Sequence, residues 1–275
     1  GELDNAGCTI TPVPVRVKDW QLVLSLAVLL AAGMACGYAF GGSYPMEWTP
    51  LDNSAQAEVQ STKAKLLELG FPEAVLNDLS PEDIAMCEGA TQILSRTDDK
   101  PVNDGREVTT QTGENSYRID TVYDAKELRL TGVAVRVKQN DGTERWIIFH
   151  HFLWTQPMNY CGTEAVQLWP NGQSAWWPDG DATGRVLCSR DGQTLTAAYH
   201  SLGTQDTFTT DFFGNSQSSI NLTGAFSMPR GSENQRGYVC FPIQIAQEDT
   251  YVNSWVNYTH QNTWAQYPAR TARDS

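Results

Sequence analysis

Residues 127–154 read ELRLTGVAVRVKQNDGTERWIIFHHFLW. Two runs rich in β-branched and aromatic residues flank Asn140-Asp141-Gly142, where a backbone with positive φ is cheapest at Gly and Asn. The stretch therefore predicts an antiparallel hairpin. Successive side chains on a strand point to opposite faces, so His150 and His151 cannot act as a pair without a bulge.

The same two-residue period recurs around the hairpin, in SYRIDTVY, EAVQLW, GRVLCSR, QTLTAAYHSL, DTFTTDFF, SINLTGAFSM, RGYVCFPIQI and YVNSWVNYTH. Each run is bounded by Gly, Asp, Asn or Pro, and Asp191-Gly192 is a second hairpin-type turn. About ten short strands without intervening helical patterns predict an all-β head over residues 106–270, an antiparallel β-sandwich or jelly roll. No repeat of fixed period and no phosphate-binding loop is present.

Upstream, the period is helical. Val59, Leu66, Leu67 and Leu69 form an apolar stripe that Gly70 stops, and Ser80-Pro81-Glu82-Asp83 reads as an N-cap, a first-turn proline and two acids at the positive helix end. Three short helices are expected between Ser54 and Leu94, as a small stalk spanning 54–95. The polar, turn-rich TDDKPVNDG, residues 97–105, is the expected linker to the head.

Further upstream, Trp20 to Phe40 is 21 residues without a charge. A helix of that length spans about 30 Å, the thickness of a bilayer's hydrocarbon core, so this is a candidate transmembrane helix. Arg16 and Lys18 precede it, while Glu47 and Asp52 follow. The positive-inside bias then makes residues 1–19 a cytoplasmic tail and puts the head outside the cell. A cleaved export signal is an alternative, in which Gly33 to Cys36 loosely resembles a lipobox and Cys36 becomes lipidated; a buried globular helix is another. A chain that opens on Gly1 rather than Met is expected to be a processed or excised piece of a longer product.

Charge narrows the partners. With 32 acidic residues against 19 basic ones the formal net charge is −13, and no basic cluster breaks it. Nucleic acid is thereby excluded as a partner, because binding it requires clustered Lys and Arg. Of the six cysteines, Cys8 falls on the cytoplasmic side and Cys36 in the membrane in this reading, which leaves Cys87, Cys161, Cys188 and Cys240 outside the cell. They permit three disulfide pairings and lack the CxxC spacing of a metal or redox motif.

Catalytic signatures are missing. The four histidines, His150, His151, His200 and His260, carry no HExxH spacing, and there is no GxSxG elbow. Asp179, Asp181 and Thr183 alternate as the first oxygens of a calcium loop do, with Gly184 as the turn; Arg190 stands where an EF-hand has its bidentate Glu. Calcium is the one candidate cofactor, and an acidic turn without metal is the alternative. Seven tryptophans lie in the head. Trp169, Trp176 and Trp177 sit among turn residues, where exposed rings stack on sugar faces while nearby polar groups take the hydroxyls. Arg230 and Arg236, in a Gly- and Asn-rich loop, are candidates for an acidic ligand group. Asn221-Leu222-Thr223 and Asn257-Tyr258-Thr259 are formal glycosylation acceptors.

Together these features predict a single-pass surface protein whose head binds a glycan or a protein partner. A transmembrane regulator, anti-sigma-like or transporter-associated, whose cytoplasmic domain is missing from this chain, is the second reading. A surface hydrolase is the third.

Overall fold

The 127–154 stretch folds as a hairpin whose two strands both lie inside the larger sheet. A computed structural model describes residues 46–102, 106–113, 116–122, 126–158, 160–170, 176–210, 216–245, 252–261 and 270–274. In chain order the elements are β1 (Thr49–Pro50), a 3-10 turn (Ser54–Val59), α1 (Gln60–Glu68), α2 (Glu73–Leu76), α3 (Pro81–Ala85), β2 (Ala90–Lys100), β3 (Arg106–Gly113), β4 (Ser116–Val122), β5 (Leu128–Lys138), β6 (Glu144–Trp154), β7 (Glu164–Pro170), β8 (Trp176–Pro178), β9 (Thr183–Arg190), β10 (Gln193–Ala198), β11 (His200–Thr210), β12 (Ser216–Phe226), β13 (Glu233–Ile245), β14 (Ser254–His260) and β15 (Arg270–Asp274).

Every strand pairing among the described residues is antiparallel. A larger sheet runs β1-β10-β9-β13-β6-β5-β2, with β8 also on β13; a smaller one runs β11-β12-β7-β14-β15; β3 and β4 pair by themselves. Both turns read from sequence are present. Gly142 has φ +87° in the β5–β6 turn, and Asp191 and Gly192 both have positive φ in the two-residue connection from β9 to β10. A pair of positive φ angles is what a right-twisted two-residue hairpin requires.

The larger sheet is buried on both faces. On one side Leu128, Leu130, Ile148, Phe152 and Trp154 meet Val166, Leu168, Phe226, Val256 and Tyr258 of the smaller sheet in one core. Phe152 stacks on Phe226 with ring centroids 5.0 Å apart, and the Trp154 indole donates to the Tyr258 hydroxyl at 3.0 Å. On the other side Val133, Val135, Ile147, Phe149 and Tyr238 meet Leu66, Phe71, Val75, Leu76, Leu79 and Ile84 from the helices. Alternation along β6 makes both contacts possible: odd and even residues take opposite sides.

The segment 54–95, expected as a stalk, thus does not stand apart from the sheet. Its helices end and begin where the sequence says: Gly70 (φ +92°) closes α1 with the Phe71 amide bonded to the Leu66 carbonyl, and Ser80 Oγ accepts from the Asp83 amide at the start of α3. Its last residues differ from expectation. Ala90–Lys100 is a strand paired with β5, so neither a helix reaches Leu94 nor a linker begins at Thr97. As a mostly exposed edge strand, β2 carries a polar sequence without the alternation that marks a half-buried one.

The segment from Asp78 to Asp83, which runs into the first turn of α3, is where the helical layer is fastened. Arg185 donates to the Asp78 and Leu79 carbonyls at 2.8 and 2.9 Å, while the Asp78 carboxylate accepts from Arg236 at 2.7 Å and from His151 at 2.9 Å. Tyr238 accepts from the Ser80 amide at 2.8 Å and donates to Asp83, which also takes the Thr183 hydroxyl at 2.7 Å. Burial pushes the Asp78 carboxyl up, but hydrogen bonding and attraction from His151 and Arg236 outweigh it and hold it below its ordinary value. The stability this supplies is present above about pH 4, the unfolded value, and is lost as pH falls through the folded one. Asp78→Ala leaves the buried His151 and the half-buried Arg236 without their carboxylate and is expected to cost about 3 kcal/mol in urea unfolding at neutral pH, with the difference from wild type shrinking below pH of about 4.

Candidate functional site

On β7 and β14 of the smaller sheet a second face lies opposite the core. Val166, Leu168, Val256 and Tyr258 point into the core, so the alternating residues Gln167, Trp169, Trp255 and Asn257 lie on the opposite face. There β7 and β14 pair Trp169 with Trp255 and Gln167 with Asn257 directly across the ladder. The two indoles are nearly parallel, 9° between planes and 6.5 Å between centroids, and both are half-buried. The Asn257 Oδ1 beside them has no hydrogen-bond partner among the described residues. Two parallel rings next to two amides form a surface that stacks and hydrogen-bonds at once.

The other residues singled out from sequence do not join this surface. Trp176 is not a surface residue: it is 2% exposed, packs on Phe241 and donates its indole N–H to the Asn253 carbonyl at 2.7 Å. Trp177, next along the extended strand, faces the other way and is exposed; its Nε1 donates to Gln244 Oε1, and Gln244 Nε2 donates to Asp179, each at 2.9 Å. Arg230 is exposed in the turn from Pro229 to Ser232. Arg236 is half-buried on Asp78, so its charge serves the helical layer rather than a ligand.

Asp179, Asp181 and Thr183 do not converge. Asp179 bonds Gln244, and Thr183 donates to Asp83 on the helix side of the sheet. Gly184 is no loop turn but a strand residue with φ +147°, where a Cβ would lie 2.1 Å from the Tyr238 carbonyl oxygen. Among the described residues no group of three or more His, Cys, Asp or Glu could hold a metal ion. Cys87, Cys161, Cys188 and Cys240 are free thiols, so none of the three pairings is formed; burial, with Asp83 nearby, pushes the Cys87 thiol up to about 12.

The three histidines whose side chains are described are internal. His151 is buried on Asp78 and His260 on Glu164, the latter at 2.7 Å with both side chains wholly enclosed. Burial raises the Glu164 carboxyl above its ordinary value against the hydrogen bonds of His260 and Tyr258. His150 faces the other side of the sheet and meets Ser254 Oγ at 2.8 Å. The His200 side chain lies outside what is described, as does the whole candidate span 20–40 with Cys36. No described helix is long and apolar enough to cross a membrane.

Sequence reasoning counted Trp255 among seven tryptophans and saw Asn257 only as part of a glycosylation triplet. What it lacked was the register of β7 on β14, which alone makes them neighbours of Trp169 and Gln167. No protein-family model matches this sequence, and comparison with curated proteins and with solved structures returns no match.

Burial lowers the His150 imidazole to about 4. Its folded value thus lies below the unfolded one, so stability falls as pH drops from about 6.5 to about 4 and the unfolded chain takes up the proton first. An NMR titration is expected to show His150 neutral down to about pH 4; a midpoint near the free imidazole value would contradict its burial.

Proposed function

We propose that this chain is a membrane-anchored surface protein whose β-sandwich domain binds a glycan on the outer face of its smaller sheet. The Trp169–Trp255 pair carries the reading. A pyranose ring has one face of C–H groups, which stacks on an indole, and a rim of hydroxyls that need partners; Gln167 and Asn257 each offer a donor and an acceptor beside the rings. Trp177, with Gln244 and Asp179, sets a ring beside an amide and a carboxylate at a separate, exposed place.

The anchor is the apolar stretch 20–40, whose length suits a bilayer and whose basic flank at Arg16 and Lys18 points the tail inward. The acidic balance of the chain agrees with an uncharged or weakly basic ligand and disfavours polyanionic glycans. Binding of this kind is weak per site, since each stacked ring contributes about 1 kcal/mol.

Titration of the full chain with a panel of neutral oligosaccharides is expected to quench tryptophan fluorescence. Trp169→Ala and Trp255→Ala are each expected to weaken binding about tenfold, equivalent to about 1.4 kcal/mol, whereas Trp176→Phe in the core leaves it unchanged. No quenching across the panel would remove the glycan reading. Recovery of the intact chain in the soluble rather than the membrane fraction would remove the anchor.

A further inference from the structure

A cavity of about 400 Å3 opens between the two sheets at the β2 side of the larger one. It exists because a row of side chains runs short. The inward row of β5 that gives Leu128 and Leu130 to the core continues as Gly132 and Ala134, which fill almost no volume. Ile148 and Leu94 flank them, and Val256 of β14 and Val252 just before that strand line the opposite side.

His150 stands in this wall, where Ser95, Arg96, Asn253 and Ser254 are the other polar residues. It is 6% exposed, its Nε2 is held by Ser254 Oγ, and its Nδ1 is enclosed and without a partner among the described residues. A Cβ placed on Gly132 would lie 3.8 Å from both Nδ1 and Cε1, so the Nδ1 edge of the ring is turned toward the glycine on the cavity wall. Buried polar atoms are paired in all but a few cases, and an exception calls for a reason. Here a bound molecule supplies one.

We propose that this cavity is a binding site for a small, uncharged, largely apolar alcohol or phenol whose hydroxyl bonds His150 Nδ1. The size matches that of small-ligand sites, about 300 to 1,000 Å3. A hydroxyl both donates and accepts, so it satisfies either tautomer of the imidazole that Ser254 permits. A charged group at this depth would lose its hydration with no opposite charge on His150, which burial keeps neutral. Arg96 also lines the cavity but already interacts with another group.

The Ser254–His150 contact has the distance of a nucleophile and its base. It lacks the third group, since no carboxylate among the described residues orients Nδ1 or stabilises an imidazolium there. Binding rather than hydrolysis is what the arrangement supports. The inference rests on neither the glycan surface nor the membrane anchor.

The test uses the full chain in detergent, with 2-naphthol as probe and naphthalene and 2-naphthoate as its apolar and charged counterparts. Saturable one-to-one binding of 2-naphthol is expected, with shifts of the His150 ring nitrogens in NMR and at least tenfold weaker binding of both counterparts. Gly132→Leu fills the cavity and is expected to abolish the saturable component, leaving only partition into the micelle, while Gly132→Ala retains it. Ala134→Leu fills the same space and gives the same loss should Gly132→Leu fail to fold. Absence of saturable binding, unshifted His150 signals, tighter binding of 2-naphthoate, or unchanged binding in a cavity-filling variant that folds would each overturn the proposal.

Discussion

Burial of β6 on both faces is the constraint from which the other features follow. Ile147, Phe149 and His151 must be covered on one side and Ile148, His150, Phe152 and Trp154 on the other. A strand hydrophobic on both sides cannot lie at a solvated surface, so the chain must supply two layers. The smaller sheet is one and the three helices are the other. Two adjacent imidazoles are thereby carried into separate interiors, and each has to be satisfied by a different part of the chain. Asp78 does so for His151. Ser254 does so for only half of His150.

The same constraint explains what the helical layer is for. Without it Val133, Val135, Ile147 and Phe149 would face water. Apolar contact alone would let short helices slide, however, because burial is not directional. Direction comes from Arg185, Arg236, His151, Tyr238 and Thr183, all on the sheet and all bonded to the segment from Asp78 to Asp83. This is why Arg236, which the sequence offered as a ligand contact in an acidic head, is spent on internal order.

Local chemistry was legible and long-range pairing was not. Asn140-Asp141-Gly142, Asp191-Gly192, the Gly70 stop and the Ser80 cap each depend on a few consecutive residues, and each is where the pattern puts it. The opposite facing of His150 and His151 follows from strand geometry alone. By contrast, the amphipathic stripe of α1 says that something covers it without saying what, so a layer of the domain reads as a stalk. Strand β2 fails for the opposite reason: an exposed edge needs no alternation, and ATQILSRTDDK shows none. Asp78 meets Arg236 across 158 positions, and Trp169 meets Trp255 through a register that no local signal encodes. For the outer surface and the inner cavity alike, residue types were visible and neighbours were not.

Native-state hydrogen exchange tests the two-sided burial of β6 most directly. The account predicts that amides of β6 and β13 exchange only through global unfolding, and that those of α1 and α3 are lost in the same event because the helical layer and the sheet share a core. Rapid exchange along β6, or release of the helices as a separate unit that leaves the sheet protected, would contradict it.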